Sequence, residues 1–303
     1  MPISPKSSLR DFVQPFQIET IGVRGRLVRL GPSVDAAMAR HHYPAAVASL
    51  LAEALALTAV LASGLKYDGV FTLQIHGDGP VGLMVADLTS DGAMRAYARF
   101  DGQRLEEFVS GSEAPVPKLL GAGHMAFTVD QGPDTERYQG ITSLEGSTLT
   151  DCAHTYFRQS EQLDTAITLC ASDMATPHCE RRAAALMIQR LPMPGMVDPE
   201  AEDDWRRAVI LMSSASVGEM LEPALTPEAL LYRLFHEEGV RVYRQRPLHH
   251  HCRCSRTRVE RTLRAFPRME IEDMAENGII RVTCEFCKTE YVLDEQARDR
   301  LFG

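Results

Sequence analysis

AAVASLLAEALALTAVLASGL, residues 45–65, decides the fold, because its apolar run is interrupted only by Ser49, Glu53, Thr58, Ser63 and Gly64. The run is just long enough to cross a bilayer. Against a membrane span, it is rich in alanine, has no neighbouring span and carries Glu53 near its middle, where a charge in lipid is costly. The stretch therefore predicts a helix buried in a soluble core. Strands surround it. Val23–Arg29 is strand-like, and Phe71, Leu73 and Ile75 alternate with Thr72, Gln74 and His76, the period of a half-buried strand. The turn Gly77-Asp78-Gly79-Pro80 then returns the chain as Val81–Ala86. Met94–Phe100 and Met125–Val129, the latter before a turn at Gly132-Pro133, alternate in the same way. Many strands on one sheet with a few long helices make an α+β fold.

Further along, Ser147–Gln162 reads as helix and Thr165–Cys170 as strand, while Ala183–Leu191 is ambiguous between helix and edge strand. Pro192, Pro194 and Gly195 break the pattern. One amphipathic helix is predicted over Pro199–Leu221, and another begins at Thr226-Pro227-Glu228 and runs to Glu238. The division expected is an N-terminal mixed sheet and helix core domain (1–193), a helical linker (194–245) and a small C-terminal domain (246–303).

Net charge is −9, which argues against nucleic acid or an anionic membrane as partner of the whole chain. Nine arginines nevertheless fall between Arg241 and Arg268 against the single acid Glu260. Met1–Thr20 lacks a basic segment followed by an apolar run, so no signal peptide is expected and the protein is read as cytoplasmic. In that reducing setting, seven cysteines favour metal or redox roles over a static disulfide framework.

Cys252-Arg253-Cys254 and Cys284-Glu285-Phe286-Cys287 form two hooks separated by twenty-nine residues. Four thiolates close a tetrahedral shell around one zinc ion and leave no position open to water. The CxxC falls between strand-like Ile279–Thr283 and Tyr291–Leu293, and the CxC precedes a helical segment, Arg256–Phe266. Arg253, Arg256 and Arg258 are placed to offset the negative charge of such a centre and to keep its thiols ionised, the form oxidants attack. A disulfide across a CxC closes a small, strained ring of the labile kind. A structural zinc contributes roughly 10–16 kcal/mol of apparent binding energy in a small module, against about 5–15 kcal/mol for the stability of a whole domain. Its removal is expected to unfold the tail.

Other candidates have plainer readings. Cys152 with His154, Cys170, and His178 with Cys179 are expected to be buried or half-buried residues. His249, His250 and His251 read as a solvated loop. His236-Glu237-Glu238 lacks the second histidine of a zinc protease, since Val240 stands in its place. Gly77, Gly79 and Gly82 match a dinucleotide fingerprint but are followed by a strand, and Pro80 removes an N–H that a phosphate would need. No GxSxG or Walker A motif occurs, no catalytic residue is identified, and the protein is expected not to be an enzyme.

With these residues in place the chain resembles the 33 kDa chaperonin family, the redox-regulated heat-shock holdases of bacteria. The resemblance rests on Val23-Arg24-Gly25, His42-Tyr43-Pro44, Leu65-Lys66-Tyr67-Asp68-Gly69, Gly77-Asp78-Gly79-Pro80 and Glu136-Arg137-Tyr138-Gln139-Gly140. It continues through Tyr156-Phe157, Ser160-Glu161-Gln162, Arg233-Leu234-Phe235-His236-Glu237-Glu238 and Cys252-Arg253-Cys254-Ser255. It implies an ATP-independent chaperone that is an inactive monomer when reduced, with one zinc ion on Cys252, Cys254, Cys284 and Cys287. Oxidation then implies disulfides Cys252–Cys254 and Cys284–Cys287, loss of zinc, a loosened linker, a homodimer and capture of unfolded client proteins by the N-terminal domain. Val209-Ile210-Leu211-Met212 and Leu230–Phe235 would be apolar faces left uncovered. Cys152, Cys170, Cys179 and the three histidines before Cys252 depart from the family pattern. Two other classes compete: a zinc-ribbon nucleic-acid binder, suggested by the arginines, and a thiol–disulfide oxidoreductase using Cys284 and Cys287, which would want a CxxC opening a helix.

Overall fold

The computed structural model describes residues 10–108, 115–132, 135–161, 163–176, 180–191 and 201–302, in two compact units, Met1–His250 and His251–Gly303. Pro133, Gln162, His178, Cys179, the expected break at Pro192, Pro194 and Gly195, and the helix start at Pro199 and Glu200 lie outside the described residues.

In the first unit the chain runs through β1 (Phe12–Ile18), β2 (Val23–Leu30), α1 (Pro32–Met38), α2 (Ala45–Ala62), β3 (Val70–Gly77), β4 (Val81–Thr89) and β5 (Ala93–Phe100). It continues as α3 (Gly102–Phe108), β6 (Gly123–Asp130), β7 (Tyr138–Ser143), α4 (Leu149–Tyr156), β8 (Thr165–Ala171) and β9 (Ala183–Arg190). Then follow α5 (Ala201–Ser213), α6 (Val217–Leu221), α7 (Pro227–Phe235), β10 (Val240–Val242), β11 (Arg246–Pro247) and β12 (His249–His250).

These strands form two six-stranded sheets, where the periodicity led us to expect one. The first has the order β10-β1-β2-β9-β8, with β11 also on β1, and the second β12-β5-β4-β3-β6-β7. Alternation identifies strands but not their partners. The element that settles the matter is α2 itself, which is apolar on all sides because both sheets cover it. Phe71, Leu73, Ile75, Met84 and Phe127 reach it from the second sheet and Val28, Leu30, Ala185 and Met187 from the first. The helix long and apolar enough to span a membrane is thus enclosed by its own unit.

The first sheet is covered on its other face too. Phe16, Ile18, Leu27, Leu186 and Ile188 pack against Met212, Met220, Leu230, Leu234 and Phe235 of α5–α7. This double cover explains why Ala183–Leu191 was ambiguous: β9 is a central strand between β2 and β8, not an edge, and both its faces are buried. It also corrects the expectation for the apolar helix faces, which lie on strands of their own unit, except for solvent-facing Ile210 and Tyr232.

The single helix predicted over Pro199–Leu221 is two. Ser216 starts α6, its hydroxyl accepting from the Glu219 N–H while the Glu219 carboxylate accepts from the Ser216 N–H, a capping box that ends any continuation of α5. Thr226 and Pro227 open α7 as expected. His249 and His250 form a short strand parallel to β5 and not a loop. The glycine-rich turn is the β3–β4 hairpin; a Cβ on Gly77 would lie 2.0 Å from the Leu120 carbonyl oxygen, so close backbone approach, not phosphate binding, requires the glycine. Cys152 and Cys170 are core residues, and the His154 ring accepts the Ile167 N–H at 2.9 Å.

The second unit is built from α8 (Arg256–Leu263), α9 (Arg268–Asp273), β13 (Ile280–Thr283), β14 (Glu290–Leu293) and α10 (Glu295–Phe302). β13 and β14 form one antiparallel hairpin. Among the described residues, the buried apolar core of this unit is six side chains: Leu263, Ile271, Ile280, Leu293, Ala297 and Leu301.

Candidate metal centre

The β13–β14 hairpin fixes half of the cysteine cluster. Cys284 follows directly on β13, and the turn closes by Cys284 N–H donating to the Thr289 carbonyl at 2.9 Å and Lys288 N–H to the Cys284 carbonyl at 2.8 Å. Lys288 takes a left-handed φ of 54°, which lets so short a connection reverse and turns Cys287 back beside Cys284. The other half is held by a helix start. Ser255 caps α8, its hydroxyl accepting the Arg258 N–H at 3.2 Å, so Cys252 and Cys254 sit in the extended segment entering the helix.

All four sulfurs are half-buried and lie within 4.8 Å of one another. Across the hooks, Cys252 is 3.7 Å from Cys284 and Cys254 is 3.4 Å from Cys287. A tetrahedron with zinc–sulfur bonds of about 2.3 Å has sulfur–sulfur edges of about 3.8 Å, whereas a disulfide is about 2.05 Å long. The four cysteines are therefore free thiols spaced as zinc ligands would be, and the donor set is the one zinc prefers. The geometry brings any two sulfurs near enough to pair and selects no disulfide partner.

Electrostatics agree with that fit. Burial pushes the Cys254 thiol up to about 12, and burial raises Cys284 as well, although the Cys287 and Phe286 amides oppose the rise. Cys287 is pulled the other way, to about 6: burial raises it, but the hydroxyl and amide of Thr289 and the neighbouring thiols outweigh burial. Four sulfurs this close cannot all carry charge alone, and a divalent cation removes the conflict.

Two side chains that the sequence reading did not single out touch sulfur. Tyr291 donates its hydroxyl to Cys254 Sγ at 3.0 Å, and Cys287 Sγ lies 3.2 Å from the Thr289 hydroxyl. Arg256 instead pairs with Glu260 at 2.9 Å and donates to the Val292 carbonyl. Thr289, two residues after a ligand, could have been read from the turn. Tyr291, thirty-seven residues from Cys254, needed the hairpin register. The arginine-rich stretch is also partly neutralised, Arg241 by Glu19 and Arg268 by Glu272.

The comparisons with known proteins point one way. The family model described as Hsp33 protein matches residues 11–294. A 33 kDa chaperonin of Caulobacter vibrioides is 42% identical over 289 residues, covering 94% of this chain and 95% of its own. One from Nitrosococcus oceani is 39% identical and covers 97% and 94%. A crystal structure of the 33 kDa chaperonin from Thermotoga maritima superposes with a TM-score of 0.80 at 22% identity, over 97% of this chain and 98% of that one, a likeness of fold.

Proposed function

The chain belongs to the Hsp33 family, and from that premise we propose that it is a redox-regulated, ATP-independent holdase whose switch is the cluster Cys252, Cys254, Cys284 and Cys287. The observation that carries this reading is four ligand-spaced sulfurs in a unit whose buried apolar core, among the described residues, is six side chains. Bound on the four thiolates, Zn(2+) supplies a closed cross-link with no open coordination position. In the reduced state the four sulfurs, ordered by Tyr291 and Thr289, hold α8 against the β13–β14 hairpin, and the chaperone is an inactive monomer.

An oxidant of the peroxide class converts two thiols to one disulfide and is itself reduced to two waters. Repeating this forms Cys252–Cys254 and Cys284–Cys287, and no thiolate is left to hold a metal. The second unit then keeps only its small core, which at this chain length is marginal. Residues 246–303 unfold and the linker, 194–245, loosens. Its helices cover Phe16, Ile18, Leu27, Leu186 and Ile188, an apolar sheet face suited to unfolded clients and to homodimer formation by the core, 1–193. The reading places the protein in the cytoplasm, without nucleic acid or membrane as partner and without catalysis.

The test is aggregation of a heat-unfolding client. Zinc-loaded reduced protein is expected to leave it unprotected, and peroxide-treated protein at raised temperature to suppress it. Equal suppression before and after treatment would overturn the proposal.

A further inference from the structure

Between the first sheet and the connection from α6 to α7 lies a cavity of about 380 Å³, within the size range of small-molecule sites. Its charged lining is Arg10, Arg29 and Arg182, with no carboxylate among the described residues, and its apolar lining includes Phe12, Leu30 and Met220. The sheet brings the arginines together: Arg29 pairs in register with Ala184, two residues from Arg182.

Two of these guanidinium groups, Arg10 and Arg29, have no carboxylate in contact among the described residues. Arg29 is 8% exposed. It donates to the carbonyl oxygens of Leu225 and Glu219, and its Nε is buried without a partner. Glu222 and Glu228 attract it through space but do not line the cavity, and burial still lowers its pKa from the ordinary arginine value. Arg182 pairs with Glu180 at 2.7 Å and reaches the Leu221 carbonyl at 3.3 Å, again with Nε buried and unpaired. Arg10 is exposed and makes no ion pair among the described residues. A buried cation without a counter-charge is costly. A guanidinium fork suits carboxylate and phosphate oxygens. Thr226 and Pro227 bring the positive end of the nine-residue α7 to the same cavity.

We propose that this cavity binds a small amphipathic oxyanion, a carboxylate or phosphate head among Arg10, Arg29 and Arg182 with a short apolar body on Phe12, Leu30 and Met220. Such a ligand bridges the sheet to α6 and α7, so its binding stabilises the helical layer in place. The effect on activation rests on the redox reading. Binding itself does not, and it is measured on reduced protein without oxidant, so the two fail separately.

The experiment uses the full zinc-loaded reduced chain with hexyl phosphate, hexanoate, inorganic phosphate and chloride at matched ionic strength. Thermal midpoints and titration calorimetry are read together. One of the two hexyl anions should bind with one-to-one stoichiometry and raise the midpoint above both inorganic phosphate and chloride; which of them does so identifies the preferred head. Arg10→Gln, at an exposed position that does not threaten folding, should weaken binding roughly tenfold, the loss of one charge-assisted contact. Arg29→Lys, which keeps the charge and loses the fork, should weaken it as well. A midpoint no higher with the hexyl anions than with inorganic phosphate or chloride, or an affinity unchanged in both variants, overturns the site.

Discussion

In the unit Met1–His250, α2 is enclosed by two six-stranded sheets and a further helical layer covers one of them. In His251–Gly303, six buried side chains form the core among the described residues, and a hairpin turn and a helix cap meet at four sulfurs. The first unit is held by area removed from water, a force spread over many contacts that no single ligand controls. On the proposed reading, the second concentrates its stability at one cluster. That difference is what makes one half a scaffold and the other a candidate switch: stability at a point can be withdrawn at a point.

The largest effect expected from one substitution therefore falls in the second unit. Cys284→Ser leaves three thiolates, and up to roughly 10–16 kcal/mol of metal-derived stability is at stake. Zinc content measured by a chromogenic chelator should fall to near zero, and circular dichroism should lose the α8–α10 signal while α2 and both sheets remain. Retention of a full zinc complement would break the comparison.

Glu53→Gln probes the first unit, where burial and not a ligand sets the energy. Burial lifts the Glu53 carboxyl from its ordinary 4.5 to about 7. The folded protein therefore keeps this proton up to about pH 7 while the unfolded chain releases it near 4.5. Stability is lost as pH rises between those values and stays low above them. The amide removes that loss, so at pH 8 the variant should gain on the order of 3 kcal/mol, several degrees in thermal midpoint, and at pH 4 almost nothing. A gain independent of pH would show that Glu53 is not held protonated.

Tyr291→Phe should give the smallest effect. It removes one hydrogen bond to Cys254 Sγ while keeping the ring. A partner that orients a metal ligand is typically worth about 10–100-fold in affinity, so a competition titration should show zinc held tens of times more weakly with the fold intact. An unchanged affinity would mean that the sulfurs order themselves.

Legibility followed the same divide between local and distant information. The buried helix, the β3–β4 hairpin and both cysteine hooks were readable because each is written in consecutive residues: an all-apolar run, a turn tetrapeptide, paired thiols. The Ser216–Glu219 capping box was present in the sequence too, but the continuous amphipathic pattern of Pro199–Leu221 masked it. What could not be read depends on which surfaces meet. Alternation carries no partner label, so it does not distinguish two sheets from one. Residues 183–190 lost their alternation because α2 covers one face and α5–α7 the other. Tyr291 escaped notice because its role follows from the register Val282↔Tyr291, which no spacing announces.

Hydrogen–deuterium exchange on the full chain, followed while peroxide bridges the thiols and a chelator takes up the released metal, tests the central claim most directly. Amides of Ile280–Thr283, Glu290–Leu293 and Arg256–Leu263 should lose protection in step with zinc release, while those of Ala45–Ala62 and Val70–Gly77 stay protected. If the hairpin and α8 keep their protection after all four sulfurs are oxidised and the metal is gone, the cluster does not hold the second unit together and the switch does not exist.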